Sequence, residues 1–184
     1  MPRVTVRLVP TGAVVGLLAA MVMNVAAQDP LPLPAERRVA LKTSAGFYVT
    51  AENGGGLAVN TDRTELGPWE TFTMIAVSPG VFSFRTEKGT YLCDLGAEAR
   101  GGRMGRTSLA ASRKQMDAST HFKVVLLNLD GPMVALVTAG GKYVTAENNG
   151  GVKARGARAM ATDRTAIGAW EQLQLVDVDK LQKP

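Results

Sequence analysis

Two Trp-Glu pairs, Trp69-Glu70 and Trp170-Glu171, stand out as chemistry-bearing groups. Each follows an Asp-Arg-Thr run, Asp62-Arg63-Thr64 and Asp163-Arg164-Thr165, and each run follows a polar glycine-rich stretch, Glu52-Asn53-Gly54-Gly55 and Glu147-Asn148-Asn149-Gly150. An indole face beside carboxylates and amides can stack on a sugar ring and hydrogen-bond its hydroxyls. The candidate ligand-binding residues are therefore Glu52, Asn53, Asp62 and Trp69, with Glu147, Asn148, Asp163 and Trp170 as a second set. A different reading competes at each position. The tryptophans recur beside Gly67-Pro68 and Gly168-Ala169, where they could anchor a strand start in the core, and burial habits favour that role. The Glu-Asn-Gly stretches are either binding loops on a rigid scaffold or plain glycine-rich turns.

Catalytic chemistry finds little support. His121 is the lone histidine and Cys93 the lone cysteine, so a His-based triad, an intrachain disulfide and a His/Cys metal cluster all lack partners. Cys93 reads as a small apolar core residue. Glu52 with Asp62 could imitate a glycosidase carboxylate pair, but nothing in the sequence sets their separation. The expectation is no catalytic residue, no metal and no cofactor. The net charge of +5 and pI near 9.6 suggest nucleic acid at first sight. Acidic and basic side chains are interspersed, however, and no long Lys/Arg run tracks a phosphate backbone, so no nucleic-acid partner is expected.

The first 27 residues carry a targeting pattern. Arg3 and Arg7 precede an apolar stretch from Thr11 to Val25, and Val25-Ala26-Ala27 offers small residues to a signal peptidase. Cleavage is expected after Ala27, leaving Gln28 first and placing the chain outside the cytoplasm, secreted or periplasmic. The apolar run falls short of the ~20 residues a spanning helix needs, so no stable membrane span should remain after cleavage. Loss of Arg3 and Arg7 lowers the charge to +3. Pro30, Pro32 and Pro34 mark residues 28–38 as an extended linker. The folded domain is expected over 39–178, with a tail at 179–184.

Within 39–178 one pattern occurs three times. Val39–Asn53 resembles Val134–Asn148, and Thr61–Glu70 resembles Thr162–Glu171. The offset is 95 residues in the first match and 101 in the second, so the last copy holds six extra residues around Lys153 to Ala159. Phe82–Leu92 fills a middle copy with the same frame, apolar-x-apolar-x-Thr-x-x-Gly-x-Tyr-aliphatic. Gly46, Gly89 and Gly141 coincide, as do the three tyrosines Tyr48, Tyr91 and Tyr143, and later Arg63, Arg113 and Arg164. These nine read as structural residues. The middle copy has Ser119-Thr120 where the others have Trp-Glu, and lacks Glu-Asn-Gly-Gly. Alternating apolar residues around Ser44-Ala45-Gly46 predict a hairpin, and each copy holds four short strands. One such unit cannot bury its apolar face, whereas three closing around an axis remove their free edges. The expected fold is all-β, a β-trefoil with repeats at about 39–80, 81–130 and 131–178.

The run Ala40-Leu-Lys-Thr-x-x-Gly-x-Tyr-Val-x-Ala-Glu-Asn-Gly-Gly55, with Asp62-Arg-Thr-Glu-x-Gly-Pro-Trp-Glu-Thr-Phe72, resembles the fascin-like domain of the actin-crosslinking β-trefoil superfamily. The resemblance covers residues 39–178. It implies a binding domain. Fascins bundle actin filaments using several trefoils in tandem, whereas in secreted microbial proteins fascin-like trefoils accompany carbohydrate-active enzymes as glycan-binding modules. The expected function is a secreted, monomeric, non-catalytic module that binds polysaccharide. The alternatives are a protein adaptor of the actin-filament-binding kind, and a trefoil protease inhibitor acting through the insertion near Arg155 to Arg158.

Overall fold

The computed structural model describes residues 36–56, 58–98, 108–128, 132–152 and 159–181. The expected leader (1–27), the proline-rich stretch as far as 35 and the insertion at Arg155–Arg158 lie outside the described residues.

Twelve strands form among the described residues, four to each copy. The first copy holds β1 (Glu36–Thr43), β2 (Tyr48–Ala51), β3 (Val59–Arg63) and β4 (Phe72–Ser78). The second holds β5 (Val81–Arg85), β6 (Tyr91–Asp94), β7 (Leu109–Arg113) and β8 (Phe122–Leu126). The third holds β9 (Met133–Thr138), β10 (Tyr143–Ala146), β11 (Met160–Arg164) and β12 (Leu173–Asp177). A single helical turn, α1 (Val178–Leu181), follows. Antiparallel pairing runs β1–β4, β4–β5, β5–β8, β8–β9, β9–β12 and back from β12 to β1. Six strands thus close a barrel without a free edge. The remaining six make three hairpins, β2–β3, β6–β7 and β10–β11. This is the β-trefoil arrangement.

The first strand begins earlier than the expected start at Val39. Glu36, Arg37 and Arg38 pair with Ile75, Met74 and Thr73 of β4, so the stretch expected to be linker up to 38 ends inside the barrel wall. The expected tail from 179 also begins in structure. Val178 of α1 is buried against Ala40 and Tyr48, with Leu66 and Val176 packed alongside.

The repeated glycine and threonine make one turn three times. The amides of Gly46, Gly89 and Gly141 donate to the carbonyls of Thr43, Thr86 and Thr138 at 3.0, 3.0 and 2.9 Å. Each returning tyrosine then sits between two strands. Tyr48 faces Lys42 and Arg63, Tyr91 faces Arg85 and Arg113, and Tyr143 faces Val137 and Arg164. A register shift follows each tyrosine on its hairpin, which adds twist and turns the hairpin across the barrel mouth. Inside the barrel Phe72, Phe122 and Leu173 hold equivalent places with no exposure. Phe122 meets Phe84 edge to face at 6.1 Å. Cys93 lies on β6, fully buried, with its sulfur 3.5 Å from the Ser112 hydroxyl.

Candidate functional site

The three repeated arginines sit at the ends of β3, β7 and β11, where each meets a glutamate from the turn that follows the preceding strand. Arg63 Nη2 lies 3.2 Å from Glu52 Oε1, Arg113 Nη2 lies 3.0 Å from Glu98 Oε2, and Arg164 Nη2 lies 3.5 Å from Glu147 Oε1. The middle copy was expected to lack this group, yet Glu98 supplies it from a shifted turn, Gly96–Glu98. Glu52 also accepts from Asn60 Nδ2 at 2.6 Å. These are partly or largely exposed ion pairs, of the kind that add little to stability. Asp163 is exposed, 3.7 Å from the Arg164 Nε, and Asp62 is half-buried on β3. In the middle copy the Ser119 hydroxyl, by its hydrogen bond, holds the Asp117 carboxyl below the ordinary carboxylate range.

Neither tryptophan is a fully buried core residue, and Trp69 is not a bare platform. Both are half-buried. The Arg63 guanidinium lies over the Trp69 ring, 4.7 Å from its centroid, so one indole face is covered by a cation–π contact. Glu52, Arg63 and Trp69 therefore form one cluster. The residues after the tryptophans are structural. Gly67 and Gly168 amides donate to the buried Glu70 and Glu171 carboxylates at 2.9 and 2.7 Å. In the middle copy the Asp117 amide donates to Thr120 Oγ1 at 3.1 Å, so threonine does the same work. Glu171 also accepts from Thr145 Oγ1 at 2.9 Å.

The glycine-rich stretches are clasps between repeats. Gly56 N–H donates to Ala111 O of β7 at 2.6 Å, binding copy one to copy two. Gly151 N–H donates to Thr61 O of β3, binding copy three to copy one. Asp94 and Ser108 of copy two accept from and bond to Thr162 Oγ1 of β11 at 2.6 and 2.8 Å, completing the circle. Gly55 and Gly150 are buried. Asn53 and Asn148 are exposed in the same left-handed conformation, φ 55 and ψ 26.

Three shallow depressions adjoin on the outer face of copy one and its seam with copy two. The first, of about 310 Å³, is lined by Arg63, Glu65, Trp69 and the run Leu66-Gly67-Pro68. The second, of about 270 Å³, shares that run and adds Arg38, Thr71 and Val178. The third, of about 380 Å³, shares Arg38, Pro68 and Thr71 and adds Thr73, Arg85, Thr86, Glu87 and Gly89. Shared walls make them one trough, from the Trp69 cluster past Pro68 to the β1–β4–β5 wall.

Residues 36–164 match the family model described as a domain of unknown function, DUF7910. The chain belongs to the DUF7910 family. No curated protein matches it. Solved structures similar to this DUF7910 domain include the designed three-fold symmetric protein ThreeFoil, 16% identical with a TM-score of 0.62, covering 77% of this chain and 99% of that one. The BEL β-trefoil in an apo crystal form is 12% identical with a TM-score of 0.58, covering 79% of this chain and 97% of that one. A mosquitocidal holotoxin is 8% identical with a TM-score of 0.62 over 79% of this chain and 18% of that one. At these identities the likeness establishes the β-trefoil fold.

Of the eight candidate binding residues, Trp69 alone lines this trough. Sequence reading did not propose Arg38, Thr73 and Arg85. Only strand register places them side by side, as Arg38 faces Thr73 and Thr73 faces Arg85.

Proposed function

We propose that the DUF7910 domain is a non-catalytic module that binds polysaccharide, carried on an exported chain. The observation that carries this reading is the trough. It is long, open and shallow, which suits an extended polymer better than an enclosed small substrate. Its lining pairs apolar surface (Trp69, Leu66, Pro68) with hydroxyls and charged groups, the mixture a sugar ring requires. Two features of the side chains support a reading without catalysis. The Glu52 carboxylate is engaged by Arg63 and Asn60, and His121, the lone histidine, is only half-buried ahead of β8.

Retention of the full chain on a panel of insoluble polysaccharides tests the reading. At least one polymer should hold it, and Trp69→Ala should weaken retention by about two- to tenfold while the protein stays folded. A folded chain that passes freely through every polymer sinks the proposal. A fascin-like adaptor is the second reading, favoured by the shared Ala-Leu-Lys-Thr and Asp-Arg-Thr-Glu motifs. Co-sedimentation with actin filaments, without retention on polysaccharide, would support it instead.

Export rests on Arg3, Arg7 and the apolar run that ends at Val25-Ala26-Ala27. Mass spectrometry of protein recovered outside the cytoplasm should find a chain beginning at Gln28. A chain that retains Met1 there would contradict cleavage.

A further inference from the structure

We infer that the far end of the trough is an oxyanion seat, so that the polysaccharide bound is an acidic one carrying carboxylate or sulfate groups. This rests on the polysaccharide reading and narrows it. Arg38, Thr73 and Arg85 occupy facing positions on three adjacent strands, β1, β4 and β5. All three line the depression of about 380 Å³. Neighbouring strands lie about 4.8 Å apart, so the two arginine positions flank Thr73 at roughly 10 Å. Two long guanidinium side chains at that spacing can converge on one oxyanion above a hydroxyl, the geometry in which arginine binds carboxylate and sulfate best.

The pseudo-threefold symmetry supplies the control. The equivalent wall of the second seam reads Val81, Lys123, Val137, and that of the third reads Met133, Gln174, Lys42. The second seam therefore builds the same wall with valine in both arginine positions, and the third puts methionine in one and Lys42 in the other. Paired arginines here are not a requirement of the barrel.

Three carboxylates face the seat. Glu36 Oε2 lies 3.0 Å from Arg85 Nη2, and Asp179 Oδ1 lies 3.5 Å from Arg38 Nη1. Glu87 lines the depression directly. Glu36 and Asp179 are half exposed, 50% and 54%, and ion pairs this exposed are held loosely. They stand where ligand oxygens would stand and are displaced by them.

The test compares the full chain on polygalacturonate, dextran sulfate and uncharged dextran in low salt. Binding should favour one or both charged polymers by at least about tenfold, with Arg85→Gln and Arg38→Gln each abolishing most of the preference. Polygalacturonate alone would assign carboxylate, and dextran sulfate alone would assign sulfate. Glu36→Gln should act in the opposite direction and tighten binding, which a merely structural role for Arg85 would not produce. Lys123→Gln in the second seam removes the same charge and should leave the preference intact. Equal retention on dextran, or equal loss in Lys123→Gln and Arg85→Gln, overturns the acidic seat and leaves the polysaccharide reading standing. Failure on all three polymers and on the wider panel brings down both.

Discussion

Replacing Gly55 by alanine is expected to destabilise the domain by about 2–5 kcal/mol. Gly55 has φ 122 and ψ 172, a region of backbone space reserved for glycine. An added Cβ would also press into the hydroxyls of Thr86 and Thr90 in the second repeat. Those hydroxyls bond each other at 2.9 Å, and Thr90 donates to Ala111 O at 2.7 Å, so they cannot move aside without breaking the clasp. Gly56→Ala is the companion variant. It shares a positive φ of 86, but its Cβ would meet nothing within 4 Å, and it should cost only about 1–2 kcal/mol. Gly150→Ala should resemble Gly55→Ala. Its φ is 100 with ψ −166, and its Cβ would stand 2.8 Å from Phe47 Cβ and 3.0 Å from the Thr61 carbonyl. Urea unfolding midpoints measure all three. Equal, small losses at Gly55 and Gly56 would show that the close approach between repeats contributes nothing.

Phe122→Ala should cost about 3–5 kcal/mol. The ring has no exposure and packs edge to face on Phe84 inside the barrel. Phe122 also starts β8, which is paired to both β5 and β9, so a cavity there undermines two seams at once. Phe122→Leu should cost less than about 1.5 kcal/mol, because Leu173 fills the equivalent place in the third copy with no exposure. A loss below about 1 kcal/mol for Phe122→Ala would place the core's weight elsewhere.

The nine recurring residues, Gly46, Gly89, Gly141, the three tyrosines and the three arginines, fall at equivalent positions of the three copies. Glycine forms the turn, and tyrosine and arginine face each other across each hairpin. Recurrence is legible there because Gly and Tyr stay two residues apart in every copy, and each Arg lies nine residues before Phe72, Phe122 or Leu173. It failed at Glu98. Glu52 follows Tyr48 by four residues and Glu147 follows Tyr143 by four, but Glu98 follows Tyr91 by seven. A longer loop carries its carboxylate back to the same arginine, and an alignment of letters does not follow that path. The glycine-rich stretches invited the opposite error. Their composition suggests mobile loops, while their backbone angles and burial, which fix them as clasps, have no signature in composition. Arg38 was missed because three alternating prolines drew the linker forward to 38, and the pairing of Arg38 with Thr73 is a fact of register.

The barrel's closing seam joins Val39 through Thr43 to Asp177 through Leu173. The first strand finds this partner only when the last strand is present, so the least local contact in the fold is also one that the ring cannot do without. Ring closure is therefore slow relative to hairpin formation, since a loop spanning nearly the whole domain must first be closed. A chain threaded through a channel amino end first would keep its first strand unsealed until Asp177 had emerged. The same geometry that abolishes edges in the finished barrel thus keeps the unfinished chain open, a state compatible with passage across a membrane before the domain locks.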